Sequence, residues 1–337
     1  MRGVGEDLQS WRLRRQKFAR RRAIRASRKQ RVRRARNRVR IAVAAIPNAI
    51  PTPPNLIYYA RRQARREVED FLEHVSSQLA RGRKVCLDLK TLERLYPCGL
   101  LIFMGWIDEW TAKYPNQLTA TYPEDDLVEQ MLQHVGVLGK LGLTSRKKIE
   151  HDDVKRWHYF WGRNADATPI EPFMLELQKI LGEEKQLGLG NCVTEAMTNV
   201  RHHAYEGEEG GPWWIFATIS KGTVFVALHD RGESVPATLL SKPSLSDFLT
   251  ARMWTAGRGD GRLITAAVGG RTRTALPYRG KGLPEMLEFT RSYPNSELGI
   301  FSRRGFYRFD GQESMGKLVK PIKGTLVIWM LRLGENK

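Results

Sequence analysis

The residues best suited to chemistry lie in Asn191–Tyr205, N-C-V-T-E-A-M-T-N-V-R-H-H-A-Y. Cys192, Val193, Ala196, Val200 and Ala204 recur at three- and four-residue steps, which predicts an amphipathic helix. Glu195, Asn199 and His202 then fall at i, i+4 and i+7 and share one stripe, away from the apolar one. A carboxylate so placed can orient or deprotonate a hydroxyl or a water, and a carboxamide oxygen is a hard ligand suited to Mg²⁺. The competing reading of this stripe is a polar face that simply meets solvent.

A second reactive stretch follows. Trp213–Ser220 and Thr223–His229 read as strands joined by Lys221-Gly222, a hairpin signal. The second strand runs into Asp230-Arg231-Gly232-Glu233-Ser234, where a carboxylate meets a backbone that a ligand can approach closely. The segment Val235–Arg279, rich in Gly, Ser, Thr and Arg, predicts a long mobile loop, either a functional lid or a disordered stretch. It leads to Gly280-Lys281-Gly282-Leu283-Pro284 before a helix over Glu285–Arg291, so glycine amides and a helix dipole are offered to phosphate. Strands over about 298–302 and 306–309 and a last strand over 325–331, opened by Gly324-Thr325, complete the unit.

Taken in order, E-x-x-x-N on a helix, D-x-G after a strand, a glycine-rich lid, G-x-G-L and G-T resemble the GHKL (histidine-kinase-like) ATPase superfamily. E-A-M-T-N-V-R-H-H-A-Y is most similar to the version in anti-sigma-factor serine kinases. The resemblance covers about 150 residues and implies ATP and Mg²⁺ as cofactors. It implies a catalytic role for Glu195 and a metal-binding role for Asn199. Asp230 would accept from the exocyclic amine of adenine, with Gly232 and Thr325 completing that pocket. Gly280, Lys281, Gly282 and Arg279 would surround the triphosphate, with His202 or His203 near it. Ser234 departs from the second glycine of D-x-G-x-G. Neither a phosphoacceptor-histidine segment nor a Walker sequence occurs, which argues against a sensor histidine kinase and a P-loop enzyme. Three activities stay open: a kinase acting on a partner's Ser or Thr, an ATPase driven through lid closure, and a non-catalytic nucleotide sensor.

The elements that must carry these residues form an α/β (α+β) chain. The expected divisions are a basic tail (1–40), a Pro-rich linker (41–56), a small βαβα unit (57–143), an interdomain segment (144–172) and the ATP-binding unit (173–337). For that last unit the resemblance implies a two-layer α/β sandwich with a mixed sheet. In the βαβα unit, V-C-L-D-L-K-T-L-E-R-L-Y-P-C-G-L-L-I-F resembles a STAS domain over about thirty residues. Pro97 stands where such domains carry a phosphate-accepting serine, so a scaffold role is expected. Residues 144–172 are centred on Arg156-Trp157-His158-Tyr159-Phe160-Trp161, ring surface suited to packing between domains, with an aromatic cage as the alternative.

Composition bounds the rest. Residues 1–40 hold 17 Lys or Arg against Glu6 and Asp7, a net +15 of the chain's +20. Self-repulsion predicts a disordered or loosely helical arm. Sequence-blind nucleic-acid contact suits it best; acidic lipid, an acidic protein surface and an organellar targeting role are the alternatives. Pro47, Pro51, Pro53 and Pro54 predict an extended linker holding that arm away from the folded body. Cys86, Cys98 and Cys192 form no C-x-x-C pair and read as buried thiols of a cytoplasmic protein. No apolar run is long enough to span a bilayer. The partners implied are ATP, an unidentified protein and, through the tail, nucleic acid; a homodimer is compatible with all of this.

Overall fold

The computed structural model describes residues 49–59, 62–163, 165–205, 210–220, 222–240, 259–269 and 282–333. The basic tail lies outside them, as do Arg279, Gly280 and Lys281. In chain order the first elements are β1 (Ala49–Pro51), β2 (Asn55–Leu56), α1 (Arg62–Ala80), β3 (Val85–Asp88), β4 (Arg94–Leu95), α2 (Pro97–Lys113) and β5 (Leu118–Ala120). Then come α3 (Asp126–His134), α4 (Val137–Lys140), α5 (Asp152–Lys155), β6 (Trp157–Gly162), α6 (Glu171–Leu181) and α7 (Glu183–Asn199), the last running into a π turn, Val200–Ala204. The remainder is β7 (Trp213–Ser220), β8 (Thr223–Asp230), α8 (Val235–Leu240), α9 (Gly259–Val268), α10 (Gly282–Arg291), β9 (Glu297–Phe309) and β10 (Glu313–Arg332).

The first unit is a parallel sheet of order β1-β3-β5, with β2 and β4 paired beside it. Its opening strand corrects the expected linker. Ala49–Pro51 and Asn55–Leu56 are strands, and Thr52, Pro53 and Leu56 are buried. Pro51 is tolerated because β1 is an edge, where one missing N–H breaks no interior ladder. The Thr52 hydroxyl donates to the Asp88 carbonyl at 3.0 Å and fixes the segment to the end of β3. Helix α1 buries Val68, Phe71, Leu72, Val75 and Leu79, spaced as one apolar stripe. Helix α2 is buried on most of its circumference, from Cys98 to Met104 and again at Ile107 and Trp110. A helix apolar all round must be covered all round.

That cover is the second sheet. Its five strands run β6-β7-β8-β10-β9, and all four pairings are antiparallel. This corrects the mixed sheet expected there. Strand β10 lies between β8 and β9, so no two bonded neighbours run the same way. The expected strands over 298–302 and 306–309 are one strand, which passes Arg303 at φ +52°. The aromatic segment expected between domains supplies edge strand β6. Trp157 lies edge-on to Phe216 at 5.6 Å, and Tyr159 packs on the same ring.

Side chains alternate across this sheet, and both faces are covered. Trp214, Phe216, Ala227, Phe301, Leu326 and Ile328 join one core with α1, α2 and β3. Trp213, Ile215, Val226, Leu228, Val327 and Trp329 join a second core with α6, α7, α9 and α10. The expected two-layer sandwich is therefore three layers at this point, because α2 lies on the sheet's back. No described helix is long and apolar enough to cross a membrane. The three cysteines are free; Cys98 and Cys192 are buried and Cys86 is half-buried.

Candidate functional site

Helix α7 buries Leu189, Cys192, Val193, Ala196 and Met197, which leaves Glu195 and Asn199 half-buried on a neighbouring face. Past Asn199 the backbone widens into the π turn, a device common at functional sites. It buries Val200 and Ala204 and brings the Ala204 carbonyl against the Asp230–Glu233 turn. The Glu233 N–H donates to that carbonyl. A Cβ at Gly232 would sit 2.0 Å from the same oxygen, so no side chain fits there.

Asp230 ends β8 and is buried. Its Oδ1 accepts the Gly232 N–H at 2.9 Å, and the Thr325 backbone N–H also donates to its carboxylate. Burial pushes its pKa up to about 7, against the opposing pull of these two donors and of Arg231. Gly324, at φ +75°, passes so close that a Cβ would lie 2.1 Å from the Asp230 carbonyl. Thr325 and Ser302 bond through their hydroxyls at 2.9 Å, and Ser302 also accepts the Val235 N–H at 3.0 Å. Ser234, the departure from the glycine pattern, accepts the Ala237 N–H at 3.2 Å and caps α8.

Asp230 lines a cavity of about 120 Å³ walled by Ala196, Val200, Leu228, Leu239, Leu283, Met286 and Val327. Asn199, His203, Gly282 and Thr325 also line it. Beside it lies a second cavity of about 170 Å³, lined by Gly188, Asn191, Cys192, Glu195, Gly282, Glu285 and Phe289. Gly282, the first residue of α10, borders both. A Cβ there would come within 2.7 Å of Glu195 Oε2 and 3.3 Å of Asn199 Nδ2. Burial raises the Glu195 pKa, the Glu285 charge raises it further, and His202 partly offsets both.

The structure thus gathers Asn199, Asp230, His203, Thr325 and Gly282 around one hollow and puts Glu195 next door across Gly282. Gly232 packs on the Ala204 carbonyl and does not line the hollow. His202 is exposed on the Glu195 side. Arg279, Gly280 and Lys281 fall outside the described residues. The expected lid is corrected in part: residues 235–240 and 259–268 are helices, packed together through Leu239, Leu263 and Ala267. Sequence reasoning missed Leu239, Ser302 and Tyr205. Tyr205 donates to the Pro212 carbonyl at 3.0 Å and accepts the Arg231 N–H at 3.0 Å, bracing the Asp230 turn. A lone serine in the apolar strand 298–302 was the one available signal for Ser302.

Among the described residues, no group of three or more His, Cys, Asp or Glu is placed to hold a metal ion. Asn199 offers a carboxamide oxygen at the hollow, beside the carboxylates of Asp230 and Glu233. That donor set fits a Mg²⁺ that arrives on phosphate oxygens and keeps several waters, and it does not fit a resident ion held by the protein alone. The chain matches no protein-family model and no curated protein.

Proposed function

We propose that the carboxyl-terminal unit binds Mg-ATP in the manner of the GHKL ATPases and transfers its γ-phosphoryl group to a hydroxyl or to water. One observation carries this reading: a buried carboxylate, Asp230, at an apolar hollow bordered by Asn199 and by the amino end of α10. Apolar walls suit a purine ring, and one fixed acceptor among them reads an exocyclic amine. Gly232 and Gly324 keep the surrounding backbone close without obstructing side chains. Thr325 completes the base pocket, and His203 lies at its edge.

Phosphates leaving this hollow would meet Gly282, with Arg279, Gly280 and Lys281 preceding it in sequence, and the α10 dipole favours their charge. Asn199 would hold Mg²⁺, which when bound neutralises charge on the phosphates. Glu195 takes the proton of the attacking hydroxyl or water. Its raised pKa improves it as a base near neutral pH, and its own cavity gives the acceptor a way in that avoids the nucleotide. The first unit, similar to a STAS domain in its Val85–Phe103 segment, serves as a scaffold, since its α2 turn presents Pro97 and a buried Cys98. The tail, 1–40, supplies sequence-blind attachment to nucleic acid.

Incubation of the full chain with γ-labelled ATP and Mg²⁺ tests the reading. Label on a protein identifies a kinase, free labelled phosphate an ATPase, and binding with neither a sensor. Absence of both ATP binding and thermal stabilisation by Mg-ATP overturns the nucleotide site.

A further inference from the structure

We propose that the first unit is a working part of the nucleotide site: Trp106 and Glu109 of α2 grip Arg231 and, through it, set the position of the Asp230 carboxylate. This rests on the nucleotide reading above and adds to it a positioning role for a helix whose Glu109 lies 122 residues before Arg231. Successive residues point to opposite sides of an extended chain, so Asp230 faces the hollow while Arg231 faces the back of the sheet, where α2 lies.

The grip is detailed. Arg231 is buried, and its Nε and Nη2 donate to Glu109 Oε2 at 3.0 and 2.5 Å. Its guanidinium carbon stands 3.9 Å from the Trp106 ring centroid, a cation–π distance. Gly105 makes room for it, since a Cβ there would lie 2.8 Å from Arg231 Cδ. Lys323, two residues before Thr325, donates to the same Glu109 oxygen at 2.9 Å. One carboxylate of α2 therefore ties down both the end of β8 and the stretch of β10 just before Thr325. On the main chain, the Tyr205 hydroxyl accepts the Arg231 N–H.

Burying a guanidinium is costly, and a small polar residue would end β8 as well. With Arg231 buried and Glu109 half-buried, such an ion pair is best justified where it fixes register. Here the register it fixes is that of residues 230–232. Loosening it shifts the acceptor that reads the base, and a displacement of about 1 Å is enough to weaken recognition strongly.

The test uses the full chain and two nucleotides, ATP and inosine triphosphate, which carries oxygen in place of the exocyclic amine. Glu109→Gln keeps the size of the side chain and removes its charge. The expected result is ATP affinity lower by about tenfold, the scale of coupling within one hydrogen-bonded network, with a smaller loss for inosine triphosphate. Trp214→Phe is the structural control. It removes the bond from Trp214 Nε1 to Asp108 Oδ2 (2.8 Å) at the same interface and leaves Arg231 untouched. It should lower the melting temperature and keep the ATP-to-inosine ratio. Should Glu109→Gln not fold, Trp106→Phe, which weakens the stacking partner, is measured the same way. A wild-type ratio in the grip variants, or an equal fall in Trp214→Phe, overturns the grip alone. Wild-type protein that binds no ATP overturns both the grip and the nucleotide site.

Discussion

Replacing Asp230 by asparagine should stabilise the empty protein while weakening its grip on ATP. The two effects have one cause. Burial lifts the Asp230 pKa from an ordinary 3.8 to about 7. A carboxyl whose pKa is raised on folding keeps a proton that the unfolded chain has already lost, so stability falls as pH rises through that interval and levels off above it. At 1.36 kcal/mol per pKa unit, a shift of about three units costs the wild type at most about 4 kcal/mol above pH 7. Asparagine is never charged and escapes this. Its oxygen still accepts the Gly232 N–H, and its amide nitrogen then turns toward the hollow, setting donor against donor where adenine's amine would sit. Losing a bond to a charged acceptor is worth about 1.5–3 kcal/mol, or about ten- to a hundredfold in Kd. Urea denaturation of both proteins at pH 5 and pH 8 reads the first effect, and the stability gap in favour of Asp230→Asn should widen by about 3 kcal/mol between them. Calorimetry with ATP reads the second. A gap that stays constant with pH, or a variant less stable than wild type at pH 8, refutes the buried, proton-holding carboxylate.

Glu195→Gln should keep ATP affinity and cut turnover by about a hundredfold or more, the usual contribution of a general base. Unchanged phosphate release would remove Glu195 from the chemistry. Because a base must be ionised and burial raises the Glu195 pKa, wild-type turnover should fall on acidification sooner than an ordinary glutamate would dictate, and a rate that does not fall with acid would contradict this. Gly282→Ala puts a methyl 2.7 Å from Glu195 Oε2, so turnover should suffer before affinity does; the reverse order, seen in paired kinetic and binding measurements, would mean that Gly282 serves the phosphates alone. Deleting residues 1–40 should abolish binding to DNA or RNA that weakens steeply with salt, and salt-insensitive binding by the whole chain would exclude a phosphate-neutralising arm.

Much of the local structure was legible. Lys221-Gly222 marked the β7–β8 hairpin, and the apolar run before Asp230 marked a strand that delivers a carboxylate to its end. Helix α7 followed from its three- and four-residue spacing. Long-range pairing was not legible. Strands β7 and β8 and the second half of β10 are buried on both faces, so their near-continuous apolar sequences identify strands without saying which neighbours or faces they adopt. The insertion of β10 beside β8 leaves no local trace. The prolines of 47–54 hid β1, because proline is excluded from sheet interiors but not from edges. The clearest unread signal was α2: a helix apolar on every side announces a second covering layer. Ser302 and Tyr205 act through partners distant in sequence, which composition and spacing do not reveal.

The shared back face of the large sheet limits how this chain can be taken apart. A fragment starting near residue 150 would turn Trp214, Phe216, Phe301 and Ile328 out to water, and a fragment ending there would strip α2 of its roof. The carboxyl-terminal unit has this face finished by its amino-terminal neighbour, so the pair should melt as a single piece.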